Sequence, residues 1–153
     1  MMSALSRYLA AVFCVASLVS CASGIKPYPP RSPLNLEIHN HAEQVEASLH
    51  LYRLDQSCAA EYLGSVDLDA PQKNIGIEPA QTTLLEVGFA SSSFWSNRSA
   101  YMNYPLTLKA RSSKRYELNI YYRDGIYDVR LFEIDPATGQ KRRPDDGELR
   151  TCL

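Results

Sequence analysis

Tyr116-Glu117-Leu118-Asn119-Ile120-Tyr121-Tyr122-Arg123-Asp124-Gly125-Ile126 is the stretch whose reading decides the fold. Tyr116, Leu118, Ile120 and Tyr122 recur at every second position. That is the spacing of side chains on one face of a β-strand, whereas a helical face needs a repeat near 3.6. Asp124-Gly125 supplies the positive-φ residues of a tight turn, and residues 126–134 read as the return strand of an antiparallel hairpin. The apolar phase of that return strand slips between Leu131 and Phe132, as it would at a β-bulge.

The same alternation extends outward in both directions. Leu106, Leu108 and Ala110 face one way while Thr107, Lys109 and Arg111 face the other. Leu34, Leu36 and Ile38 form one further strand, and Val45, Ala47, Leu49 and Leu51 the next. Leu85, Val87 and Phe89 share a face, and residues 62–68 and 74–77 give two shorter candidates bounded by Gly64, Pro71 and Pro79. Asp135-Pro136-Ala137-Thr138-Gly139 has the composition of a turn, with its Asp in the turn rather than on a metal. No stretch offers a helical face. The predicted fold is all-β, a single antiparallel β-sandwich of seven or eight strands.

The N-terminus carries an address. Arg7 precedes an apolar run over residues 9–19, the length of a signal h-region and too short to cross a bilayer as a helix. At its end Leu18-Val19-Ser20-Cys21 resembles the bacterial lipobox at every position. The resemblance implies that the Cys21 thiol receives a diacylglycerol, that residues 1–20 are removed as a lipoprotein signal peptide, and that palmitate-type acyl chains anchor the mature chain. Ala22 follows the cysteine, which by resemblance to enterobacterial sorting directs the protein to the outer membrane, facing the periplasm. Pro27, Pro29, Pro30 and Pro33 make residues 21–33 read as a lipidated, extended tether. Residues 34–153 then form the β-sandwich domain, long enough for one core and too short for two.

Removing residues 1–20 takes away Arg7, leaving 15 basic against 17 acidic residues and a formal charge of −2. That balance is no footprint for nucleic acid. The cluster Lys141-Arg142-Arg143 is answered at once by Asp145-Asp146. Of four cysteines, Cys14 leaves with the signal and Cys21 is acylated, so Cys58 and Cys152 remain. In an oxidising envelope compartment they are expected to form a disulfide, worth about 4 to 5 kcal/mol in the chain-entropy model.

Within the domain, Leu51-Tyr52-Arg53, Tyr62-Leu63-Gly64-Ser65-Val66, the turn at Pro79, Thr83-Leu84-Leu85 and Leu106-Thr107-Leu108-Lys109-Ala110 leading into Tyr116 together resemble small bacterial lipoprotein domains of the PEGA-like, carboxypeptidase-regulatory-like type. Pro79-Ala80-Gln81-Thr82 stands where those domains carry Pro-Gly followed by His. The resemblance implies a sandwich with an accessory envelope role and brings no catalytic residues with it.

Chemistry is sparse. His39 and His41 share a strand face at ~6.5 Å, and a hairpin could bring Glu46 beside His39, but a zinc or copper site needs a third ligand and a supporting shell. Asp145-Asp146-Gly147-Glu148 lacks the alternating ligands of a calcium loop. No metal and no cofactor are expected. Nucleophile elbow, Walker loop and Gly-rich dinucleotide turn are all missing, so no enzyme is expected. The segment 89–104 interrupts the strand pattern and reads as a long loop holding the sole tryptophan. Phe94, Trp95, Tyr101 and Met102 are its candidate partner-binding residues. The expected function is a non-enzymatic envelope lipoprotein that binds or scaffolds an envelope protein while its lipid holds the membrane. The alternative is an inhibitor of a periplasmic hydrolase that inserts residues 91–101.

Overall fold

In a computed structural model, residues 25–93 and 98–144 are described. Nine strands lie among them: β1 (Leu36–Ala42), β2 (Glu46–Leu54), β3 (Ala60–Asp67), β4 (Gln72–Ile75), β5 (Thr82–Ser93), β6 (Arg98–Lys109), β7 (Arg115–Arg123), β8 (Ile126–Ile134) and β9 (Lys141–Arg142). They form a four-stranded sheet, in the order β3-β2-β5-β6, and a five-stranded sheet, in the order β4-β1-β7-β8-β9. The all-β sandwich read from the alternation is the fold.

Two details differ from the expectation. The ninth strand is Lys141–Arg142, which pairs with Glu133 and Ile134 and has no apolar residue to announce it. And β1 runs parallel to β7, from Leu36 opposite Tyr116 to Ala42 opposite Tyr122. Alternation reports which face a residue takes and is silent on the direction of the neighbouring strand.

The inward residues of both sheets form one core. Leu36 and Ile38 meet Leu49, Leu51, Leu85 and Val87 from the opposite sheet, with Leu118 and Ile120 fully buried beside them. Tyr116 is buried as well, its hydroxyl accepting the Arg111 backbone N–H at 2.9 Å. Asn35 fastens the start of β1. Its side chain donates to the Ile77 carbonyl at 2.8 Å and accepts the Ile77 N–H at 2.7 Å, satisfying both backbone polar groups of that residue.

The slip at Leu131/Phe132 is not a bulge. β8 keeps unbroken register with β7, and Val129, Leu131 and Glu133 all face inward. The buried Glu133 carboxylate takes Arg142 at 2.7 Å. A charged residue on the inner face is what makes the apolar phase seem to shift. The register irregularity lies between Leu51 and Tyr52, opposite Gly64 and Tyr62.

The proline-rich segment is packed from Lys26 onward. Tyr28 N–H donates to the Ser65 carbonyl and Ser65 N–H to the Lys26 carbonyl, so the chain adds a short parallel bridge to the edge of β3. The Tyr28 hydroxyl donates to the Gly76 carbonyl at 2.7 Å, and Arg31 pairs with Glu78. Gly64, at φ +145°, makes the approach possible: a Cβ there would lie 2.6 Å from the Tyr28 Cα. An extended segment with few donors suits this place, because it covers an edge strand that would otherwise be open.

The segment 89–104, expected to be a loop, is mostly strand. Ser91, Ser92 and Ser93 continue β5 opposite Ala100, Ser99 and Arg98 of β6. Alternation persists through it, with Met102, Tyr104 and Leu106 packed toward the core and Tyr101 exposed. Pro105 sits on β6, the edge of its sheet, where a missing N–H is tolerated.

Candidate binding site

The outer face of the four-stranded sheet carries more than the solvated charges solubility would require. Period two turns Ser48, His50 and Tyr52 of β2 outward between the inward Ala47, Leu49 and Leu51. β3 adds Tyr62, β5 adds Glu86, and β6 adds Tyr101 and Asn103 across the same surface. The Tyr52 and Tyr62 rings lie 5.2 Å apart between centroids, and His50 and Tyr62 lie 6.3 Å apart. The Tyr101 hydroxyl is 3.4 Å from His50 Nε2, which is 3.3 Å from Ser48 Oγ. Glu86 accepts the Asn103 amide.

Gly88 sets the pose of Tyr101. A Cβ there would stand 2.7 Å from the Tyr101 hydroxyl oxygen and 2.9 Å from Ser48 Oγ. Two of the phenols at this face, Tyr52 and Tyr101, have pKa values above the ordinary 10.0, first because burial disfavours phenolate and then because the Glu86 carboxylate lies close. They are therefore neutral hydroxyls at physiological pH.

From this face an open groove of about 700 Å³ runs to the end of the sandwich, past Ser48, His50, Tyr101, Glu46 and Asp67 to Ile25. Its lining includes the carboxylates Glu46, Asp67 and Asp69 and neither Lys nor Arg, while Lys73 holds Asp69 from outside at 2.6 Å. Flat aromatic surface beside carboxylates favours cationic groups. Catalysis is less well served: Ser48 and Tyr101 both address Nε2 of His50, and among the described residues no carboxylate holds the opposite ring nitrogen, as a Ser-His-acid arrangement requires.

Of the candidate partner-binding residues, Tyr101 is 59% exposed at this face, while Met102 turns to the opposite side of β6 and packs against the core. Phe94 and Trp95 lie outside the described residues, as do Cys21 and Cys152. Cys58 lies in the β2–β3 turn at φ +64°, and Cys152, its expected partner, lies outside the described residues. That turn is organised by Asp55, whose carboxylate accepts the N–H groups of Ser57 and Ala59 and the Ser57 hydroxyl.

His39 and His41 stack on the outer face of the other sheet, 6.3 Å between ring centroids, with Tyr121 4.8 Å from His41. Glu46 does not join them, since β1 and β2 belong to different sheets. Among the described residues no three His, Cys, Asp or Glu side chains gather at metal-binding spacing. Sequence reasoning passed over His50, Tyr52 and Tyr62 as the polar half of an alternation. The available signal was their type: a histidine and two tyrosines at outward positions where lysine or glutamate would serve solubility equally well.

No family model matches the chain, so the likeness to PEGA-like domains reaches only as far as a β-sandwich. No curated protein matches it either. Among solved structures, it is similar to transthyretin from Sparus aurata, at 12% identity and a TM-score of 0.48 over 65% of this chain and 97% of that one. A sea bream transthyretin in complex with thyroxine gives 13% identity and a TM-score of 0.46 over 63% of this chain and 93% of that one. Neither likeness transfers a site or a ligand.

Proposed function

We propose that this protein is a non-enzymatic lipoprotein of the bacterial envelope, anchored through Cys21 and acting as a binding or scaffolding module for another envelope protein. The recognition surface is the outer face of the four-stranded sheet with its groove. The observation that supports this reading is the exposed Tyr101 poised over Gly88 beside His50 and Ser48. Aromatic side chains with few rotatable bonds contribute contact area at small entropic cost. Glu46 and Asp67 suit a partner segment that offers Lys or Arg. Phe94 and Trp95, which fall between β5 and β6 in the sequence, are further candidate contact residues, and Cys58 pairs with Cys152.

Co-purification of the tagged lipoprotein from its own membranes tests the reading. A stable envelope partner is expected with the wild type. Tyr101→Ala should weaken its capture by at least ~2 kcal/mol, roughly thirtyfold. Capture unchanged by both Tyr101→Ala and Trp95→Ala would remove this face as the contact.

A further inference from the structure

The two ends of the sandwich differ in what they expose. β1 and β7 finish at the same end, where β2 and β8 begin, and the β5–β6 hairpin projects from it, because Ala90 and Tyr101 already lie level with Glu46, the first residue of β2. Six large apolar or aromatic residues are conspicuously exposed among the described residues: Ile25, Leu34, Tyr101, Tyr121, Ile126 and Tyr127. Leu34, just before β1, belongs to the far end. Tyr101, Tyr121, Ile126 and Tyr127 belong to the near end by strand register, and Ile25 lines the groove that opens there with Ala42, Val45 and Glu46. Ile126, in the tight β7–β8 turn, is 73% exposed. Nothing in the turn requires an isoleucine.

The charges of this end are largely spent on each other. Glu43 takes Arg123 at 2.7 Å, and Asp128 takes Arg130, whose guanidinium also lies 5.5 Å over the Tyr121 ring. The surface that remains is apolar and aromatic with internally compensated charge. Exposed isoleucine and tyrosine of this kind suit a bilayer interface, where an aromatic ring sits in the headgroup layer and an aliphatic side chain reaches below it.

Chain length limits how far such a surface could stand from lipid. Lys26 is bonded to Ser65, near the end of β3 that faces this same side. Five residue steps from Lys26 back to Cys21 span at most roughly 18 Å. We infer that the end of the sandwich bearing Ile126, Tyr127, Tyr121 and Ile25 rests on the surface of the bilayer that holds the Cys21 lipid, leaving Tyr101 on the open sheet face for the protein partner. The inference rests on Cys21 being the anchor. It adds that the domain lies against the membrane in one orientation, with the groove opening beside the headgroups. The favoured surface is zwitterionic, because the charges around the β7–β8 turn are paired with each other and leave no net attraction for anionic headgroups.

The test uses the acylated full-length lipoprotein reconstituted into phosphatidylethanolamine–phosphatidylcholine vesicles, with a nitroxide attached at Ile126→Cys, or at Leu34→Cys or Glu61→Cys as controls at the far end and on the β3 edge. Labelling is done without reductant. The expected result is that the label at position 126 loses collisions with a water-soluble nickel chelate and gains them with oxygen, while labels at 34 and 61 stay aqueous. Adding Ile25→Asp to the 126-labelled protein, at a side chain 64% exposed, should lower the ratio of docked to undocked domain roughly tenfold or more, the partition carried by one buried apolar side chain. A label at 126 as aqueous as that at 34 overturns the inference and leaves the end to a protein partner. Protection at 61 instead of 126 overturns it in favour of the β3 edge. Fatty-acid labelling of the same preparation separates the two readings: acylated protein with an aqueous 126 overturns the orientation alone, and protein that takes up no acyl group overturns the anchor and the orientation together.

Discussion

On the outer face of the five-stranded sheet, Glu117 is held by Lys141 at 2.7 Å and by Asn119 at 2.9 Å, Glu37 by Gln72, and Asp128 by Arg130. On the outer face of the four-stranded sheet, tyrosines and a histidine occupy the corresponding outward positions, and the groove carboxylates Glu46 and Asp67 face no basic lining residue. Both faces come from the same alternation over one shared core. One carries a network of its own ion pairs beside the stacked His39, His41 and Tyr121, while the groove carboxylates of the other have none in their lining. Stability and recognition should therefore separate by layer: changes in the core should cost folding, and changes on the open face should cost binding.

The largest effect belongs to the core the two faces share. Leu118 is fully buried at the centre of the five-stranded sheet. Leu118→Ala should lower unfolding free energy by about 2 to 5 kcal/mol, the transfer loss plus the cavity left behind. Denaturant melts check it. A loss as small as that of an exposed substitution would mean that the two sheets can close over the gap, and the layered division would fail.

Asn35→Ala should come next. The substitution leaves the N–H and C=O of Ile77 without their partners, at about 1 to 3 kcal/mol for each buried group not reached by water. Asn35→Asp keeps the acceptor but buries a carboxylate oxygen against the Ile77 carbonyl, so at neutral pH it should be at least as destabilising as Asn35→Ala and should recover in acid, where the protonated carboxyl can donate. Thermal melts of the three proteins give the order.

The way the sequence divides between legible and illegible follows the same physics. Leu36 and Ile38, Leu49 and Leu51, and Leu118 and Ile120 announce their strands because each pair buries one face of a pleated strand, and the alternation survives without knowledge of the partner strand. Ser91, Ser92 and Ser93 extend β5 by pairing with Ala100, Ser99 and Arg98, and three consecutive serines carry no apolar phase to mark them as strand. Lys141 and Arg142 form β9 through pairing and through ion pairs to Glu117 and Glu133, which a hydropathy pattern cannot register. Among the candidate site residues, Tyr101 and Met102 lie on opposite sides of β6, because adjacent residues on a strand face opposite ways. His50, Tyr52 and Tyr62 come together only through the pairing of β2 with β3, at residues eight or more apart in the chain.

The ion-paired face makes its own prediction in acid. Burial pushes the Glu117 carboxyl up, but hydrogen bonds from Asn119 and Lys141, with the charges of Lys141 and His39, outweigh it and hold the pKa below the ordinary 4.5. A folded-state pKa depressed in this way contributes stability that is fully present above pH 4.5 and lost as pH falls through the lowered value. Glu117→Gln should accordingly melt lower than the wild type at pH 7, with the difference shrinking below pH 4.5. A difference constant down to pH 2 would show that the ion pair adds nothing.

The smallest effect on stability is expected at Gly88, and it sharpens the comparison most. A Cβ at this position meets the Tyr101 hydroxyl and Ser48 Oγ, both at the ends of side chains that can move, rather than backbone. Gly88→Ala should thus change stability by about 1 kcal/mol or less, in either direction, because relief of glycine's unfolded-state entropy opposes the small displacement. The same methyl pushes the Tyr101 hydroxyl away from His50 Nε2 and alters the open face without touching the core. Partner capture by Gly88→Ala should fall toward that of Tyr101→Ala while the two proteins melt within roughly 5 °C of the wild type. Should Gly88→Ala capture the partner as well as the wild type does, with Tyr101→Ala still impaired, the phenol would act as contact area alone and its fixed pose over Gly88 would have no part in recognition.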